Sequence, residues 1–343
     1  MTYQEILQNA RTCIGDYCKA CDICNGKACR NKIPGPGAKG VGDTAMRNYD
    51  KWQEIRINMD TLYASAPIDT RLQIFGRTFQ YPFFAGPVGA VNMHYGNQYN
   101  DMSYNDVLVS ACAKSGIAAF TGDGVAPEVM QAATKAIQAA DGIGVPTVKP
   151  WNIDTVFEKL DLVKASGAFA VAMDVDAAGL PFLKNMTPPA GGKSVEELSA
   201  IVRKAGVPFI VKGVMTAAGA KKALAAGASA IVVSNHGGRV LDGCPATAEV
   251  LPEIVEAVGG ELTILVDGGI RSGADVFRAL ALGADAALIC RPFVTALYGA
   301  AAEGIQTYIS RIAGELEDVM AMCGAHSLAE ISRDMIRTEK KRG

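Results

Sequence analysis

A (β/α)8 barrel is the fold class this sequence predicts, and three observations predict it. From about Tyr81 onward a short apolar run, a polar or glycine-containing turn and a longer stretch of helical periodicity recur eight times. The apolar runs carry no polar face, as expected of parallel strands covered by helices on both sides. Glycine follows the helical stretches at Gly116, Gly142, Gly167, Gly206, Gly227, Gly259 and Gly283, where a left-handed residue ends a helix without steric cost. Eight units favour closure into a barrel of about 250 residues over a doubly wound open sheet.

The strands are expected over Pro82 to Ala85, Ile117 to Thr121, Pro146 to Lys149, Ala168 to Val175, Pro208 to Val211, Ala230 to Val233, Leu262 to Val266 and Ala286 to Ile289. The helices between them fall on Ser103 to Lys114, Glu128 to Ala139, Thr155 to Ala165, Val195 to Lys204, Ala217 to Ala225, Ala246 to Ala257 and Ala274 to Leu282. The first 80 residues precede the repeat. Residues 1–40 read as a cysteine-rich amino-terminal arm separable from the barrel of residues 41–343, with a Gly-Pro-Gly stretch between them.

In 343 residues, 33 Lys+Arg oppose 35 Asp+Glu, a net charge of −2 that argues against a nucleic-acid-binding surface. Hydrophobic residues make up 49% and charged residues 20%, so the chain is neither disordered nor tail-like. With no long uninterrupted apolar stretch and no export signal, the expectation is a cytoplasmic protein without a membrane partner. Five of nine cysteines lie within the first 29 residues. Cys18, Cys21, Cys24 and Cys29 come close to the spacing of ferredoxin-type iron–sulfur ligands without matching it; zinc on four thiolates fits equally, ahead of reversible disulfides and of simple packing.

Barrel chemistry sits at the carboxyl ends of strands. Lys212 follows Phe209-Ile210-Val211 directly and should point into the barrel mouth. His236 lies in the glycine-flanked turn Ser234-Asn235-His236-Gly237-Gly238-Arg239, three residues before a cation. Asp267-Gly268-Gly269 with Arg271, the following helix start and Arg291 form a phosphate-binding pattern after strands seven and eight.

Taken together, the runs Val211 to Val214, Ser234 to Asp242, Asp267 to Val276 and Arg291-Pro292 resemble the FMN-dependent α-hydroxy acid oxidase and dehydrogenase family of glycolate oxidase, lactate oxidase and flavocytochrome b2. The resemblance implies noncovalent FMN, a small 2-hydroxy acid as substrate, an electron acceptor that is oxygen or a partner protein, and a homotetramer. It implies His236 as the base, Asp176 as its orienting carboxylate, Arg239 as the substrate-carboxylate clamp and Lys212 as the cation beside the flavin. Asp267 would hold the ribityl chain, with Ser234 beside the cofactor; Gly268, Gly269, Arg271 and Arg291 would bind the phosphate. Gly86, Pro87 and Lys149 would lie against the ring.

The chain departs from the family in three places. The loop Ala177 to Lys184 lacks the family's second substrate Arg, Trp151 and Lys149 stand at the end of strand three, and Cys290 replaces a usual Gly. Two other readings are an FMN-dependent non-redox enzyme of the isomerase type and a flavin-binding redox sensor that signals through the cysteine arm.

Overall fold

A computed structural model describes residues 1–30, 32, 39–180, 183–187 and 189–338. Its centre is a ring of eight parallel strands: β1 (Phe83–Ala85), β2 (Phe120–Thr121), β3 (Val145–Val148), β4 (Val171–Asp174), β5 (Phe209–Val214), β6 (Ala230–Val233), β7 (Thr263–Val266) and β8 (Ala286–Ile289). Hydrogen-bonded neighbours run from β1 through β8 and back down to β2, and a parallel bridge between Ala85 and Ala119 closes the ring. The (β/α)8 expectation is met. Strand two ends at Thr121 as expected but starts later, since only Phe120 and Thr121 pair with β3 while Ala119 forms the bridge to Ala85.

The strands are short and almost wholly buried, with only Gly213 and Thr263 half-buried, and a helix follows each one. Sequence chemistry fixes where these helices start. Ser194 caps Val195–Ala205 and Ser272 caps Gly273–Ala281, each in a reciprocal capping box with Glu197 or Asp275. Gly167 and Gly206 end their helices in the left-handed region, as expected. Gly259 does not: it is extended (φ −60°, ψ 136°), and its neighbour Gly260 takes the positive φ.

The amino-terminal residues are seated on the barrel. In helix Tyr3–Cys13 the side chains of Ile6, Leu7 and Ala10 are buried against the long carboxyl-terminal helix Arg291–Cys323. Gly299 of that helix lets it approach so closely that a Cβ there would meet the Ile6 carbonyl oxygen. Helix Tyr3–Cys13 of the expected arm thus packs as part of the barrel's outer layer. Among the described residues no helix is long and apolar enough to cross a membrane.

Candidate active site

The site begins with a kink in β5. The register between β5 and β6 shifts between Lys212 and Val214, at Gly213, which has φ 102°. That glycine is required twice, once for its backbone and once because an added Cβ would lie 2.6 Å from Cβ of Asp176. The bulge leaves Lys212 pointing into the barrel, 2% exposed, donating to Ser234 Oγ at 3.0 Å and 3.3 Å from Asp267 Oδ2. Burial pulls its pKa down, but Asp267 and Asp176 outweigh burial and the net shift is upward. A full positive charge is thus held in an apolar barrel.

His236 stands just past β6 in a left-handed conformation (φ 55°), followed by Gly237 and Gly238, also at positive φ. Its backbone N–H donates to Ser234 Oγ at 3.1 Å, so one hydroxyl positions both the lysine and the histidine turn. Nδ1 of His236 lies 3.2 Å from each carboxylate oxygen of Asp176. Burial pushes the Asp176 carboxyl up, yet His236, Lys212 and Lys149 together bring it below its ordinary value, so it is a carboxylate at neutral pH. With Nδ1 engaged, Nε2 is the ring nitrogen left for chemistry.

Arg239, one turn on, places Nη2 2.9 Å from Nε2 of His94. His236, Arg239, Lys212 and Lys149 all border one cavity of about 350 Å³. Pro87 and the stretch Asp267, Gly268, Gly269 and Arg271 border it too, as does Arg291. Asp176 and Ser234 stand behind that wall, holding residues that face it. Gly86 is turned toward Cys290, whose Sγ would lie 2.4 Å from any Cβ at position 86. The unusual cysteine therefore fits because its neighbour has no side chain.

The Asp267-Gly268-Gly269 turn, expected to bind a phosphate, has a structural duty. Both glycines have φ near +86°, and helix Asp43–Glu54 rests on them, with Asn48 O 2.2 Å from a Cβ placed on Gly269. Trp52 Nε1 donates to Gly268 O at 2.7 Å, and the buried amides of Asn48 and Asn235 pair reciprocally at 2.7 and 2.9 Å. At the same end, Arg271 Nε donates to the Cys24 carbonyl at 2.6 Å. Burial lowers the Arg291 pKa, but the Cys24 and Cys29 thiols beside it outweigh that effect.

Those thiols line a second hollow of about 220 Å³ with Cys18 and Cys21, bordered by Arg271 and Arg291. The expected iron–sulfur cluster or zinc at Cys18, Cys21, Cys24 and Cys29 is not supported. Among the described residues no three His, Cys, Asp or Glu side chains converge as ligands of a metal ion must, and no described cysteine is in a disulfide. Burial raises Cys18 to about 12, whereas at Cys24 the two arginines overcome burial and the net shift is downward.

Among the cavity-wall residues that sequence reading missed, Asp123 carries several polar contacts and His94 the key one to Arg239. Asp123, just after β2, accepts from Lys149 N, Trp151 Nε1 and Lys159 Nζ at 3.0, 2.7 and 2.7 Å, and Lys149 Nζ reaches Asp174 at 2.5 Å. Inspecting Thr121-Gly122-Asp123 as a strand end would have found it. His94 carries no such signal, because it lies in a short helix, Val91–Tyr95, well beyond β1.

The carboxylate–histidine pair, the buried lysine and the phosphate-type turn define a flavin-binding barrel. The chain matches the FMN-dependent dehydrogenase family over residues 36–186 and 182–338, and it belongs to that family. It is similar to the peroxisomal (S)-2-hydroxyacid oxidase GLO3 of Arabidopsis thaliana, at 45% identity over 44% of this chain and 40% of the relative. Against L-lactate dehydrogenase of Xanthomonas euvesicatoria, identity is 50% over 38% of this chain and 33% of the relative. The chain thus spans about two fifths or less of the length of these curated relatives. A crystal structure of mandelate oxidase with benzoyl-formic acid superposes with TM-score 0.80 at 25% identity, covering 98% of each chain.

Proposed function

We propose that this chain is an FMN-dependent oxidoreductase that converts a 2-hydroxy acid to the corresponding 2-oxo acid. The observation that carries the reading is the His236–Asp176 pair opening onto the cavity that also holds Arg239 and Lys212. The residues present fit FMN. Asp267 Oδ1 is buried without a partner among the described residues, as an acceptor for ribityl hydroxyls would be, and Arg271 and Arg291 supply charge for a phosphate. When bound, FMN supplies the acceptor for the two electrons leaving the substrate Cα.

The protein does the rest. Arg239 binds and orients the substrate carboxylate. His236 takes the substrate proton at Nε2, and the Asp176 carboxylate stabilises the resulting imidazolium through Nδ1. Lys212 compensates negative charge that builds beside it in the barrel. The same cavity is also lined by Val125, Val129, Leu180, Leu183 and Met186, which suits a monocarboxylic substrate with an apolar side chain. The mandelate oxidase likeness supports the same class.

The reading also includes an electron acceptor that is oxygen or a partner protein, a homotetramer and a cytoplasmic location. These rest on the family resemblance and are tested by reoxidation kinetics, by light scattering and by cell fractionation. The function itself is tested by denaturing the purified protein, identifying the released chromophore, and analysing product after incubation with apolar 2-hydroxy acids. FMN together with stoichiometric 2-oxo acid is the expected result. Another chromophore, or no oxo acid from any member of the panel, overturns it.

A further inference from the structure

We propose that His94 is a positioning residue for Arg239, a neutral acceptor that helps orient the guanidinium while leaving its charge for a substrate carboxylate. The proposal rests on the reading that Arg239 takes that carboxylate. Its basis is the 2.9 Å contact between Arg239 Nη2 and His94 Nε2 at the cavity wall. A guanidinium only donates, so the imidazole nitrogen facing it presents a lone pair. Nε2 is therefore unprotonated, and the ring is neutral with its proton on Nδ1. Burial and the adjacent Arg239 charge favour this form, bringing the His94 pKa down to about 3.

The choice of a neutral acceptor matters because the protein itself engages the other cations that border this cavity, Arg291 included. Lys149 is committed to Asp174, Lys212 to Asp267 and Ser234, and Arg271 to carbonyls of Cys24 and Ile270. The loop 177–184 contains no Arg. An Asp or Glu in place of His94 would hold the guanidinium equally well, but it would neutralise the charge that a substrate carboxylate needs. A histidine kept neutral by burial holds the fork without competing.

The test uses full-length holoenzyme and the variants His94→Gln, His94→Phe and His94→Glu, each checked for FMN content. Two quantities are measured anaerobically: the dissociation constant for oxalate, from perturbation of the flavin spectrum, and the concentration dependence and limiting rate of flavin reduction by an apolar 2-hydroxy acid. The expected result is about tenfold to hundredfold weaker oxalate binding in His94→Phe, with the limiting reduction rate within about threefold of wild type. His94→Gln, whose amide oxygen can accept, should recover most of the affinity. His94→Glu should bind oxalate as poorly as His94→Phe.

Wild-type oxalate affinity in the Phe and Glu variants overturns the proposal, and so does a Gln variant no better than Phe. Oxalate binding that depends on His94 in a wild-type protein that no 2-hydroxy acid reduces leaves the proposal standing and defeats the oxidoreductase reading. A wild type that binds no oxalate overturns the proposal, while flavin reduction separately decides the function.

Discussion

His236 is held at φ 55°, a conformation that costs a non-glycine residue on the order of 1 to 3 kcal/mol, and the turn persists because Ser234, Gly237 and Gly238 over-determine it. Such strain beside a carboxylate-paired imidazole fits the proposed role of His236 as the base. His236→Ala should lower the rate of flavin reduction by about 100- to 10,000-fold while FMN stays bound, as stopped-flow absorbance will show. Lys212→Met would strand Asp267 and Asp176 without their buried counter-ion. It should cost about 3 to 5 kcal/mol in thermal or denaturant unfolding and weaken FMN retention. His94 gives a pH signature of opposite kind. Its folded pKa is about 3 against about 6.5 unfolded, so the unfolded chain binds the extra proton and stability falls as pH drops from about 6.5 toward 3, by up to about 1.4 kcal/mol per pH unit. Titrated denaturation should show this slope reduced in His94→Gln. At this scale Lys212 and Asp267 were legible because each directly follows an expected strand, and His236 and Arg239 because they share the glycine-flanked turn after another. His94 was not, because only the folded chain brings a residue 145 positions away against Arg239.

Among the elements, the strands were legible from unbroken apolar runs, and the helices from periodicity and glycine stops. Their ends were less so: β2 begins at Phe120 rather than at Ile117, and the stop expected at Gly259 moves to Gly260. The Asp267-Gly268-Gly269 turn was read for its amides, yet helix Asp43–Glu54 packs on the same glycines, a contact no local pattern reveals. A test follows from that packing. Gly269→Ala must accommodate both a positive φ and the Asn48 carbonyl, so it should lower thermal stability and release FMN together. The conformational part alone is about 1 to 3 kcal/mol. Gly227→Ala, at similar φ but with only a Val202 methyl in reach, should cost stability without loss of FMN, and differential scanning with flavin fluorescence separates the two.

Across the whole molecule, the amino-terminal residues tie the barrel's last helix to its phosphate end. Helix Tyr3–Cys13 covers Arg291–Cys323, Cys13 Sγ donates to the Tyr298 carbonyl, and the Cys24 carbonyl accepts from Arg271. Sequence composition identified a cysteine-rich segment but not this docking, because periodicity within eleven residues does not say which surface they bury. Removing residues 1–13 should expose the apolar face that receives Ile6, Leu7 and Ala10, lower the melting temperature and increase FMN loss on dialysis. Unchanged melting and FMN content would mean that the helix contributes nothing to the fold. The central claim, that this cavity uses His236 and Arg239 to oxidise a 2-hydroxy acid on FMN, is tested most directly by mixing oxygen-free holoenzyme with an apolar 2-hydroxy acid and following the flavin absorbance. The account predicts saturable bleaching in the wild type, lost in a His236→Ala protein that retains FMN; bleaching at the same rate in both proteins, or in neither, would contradict it.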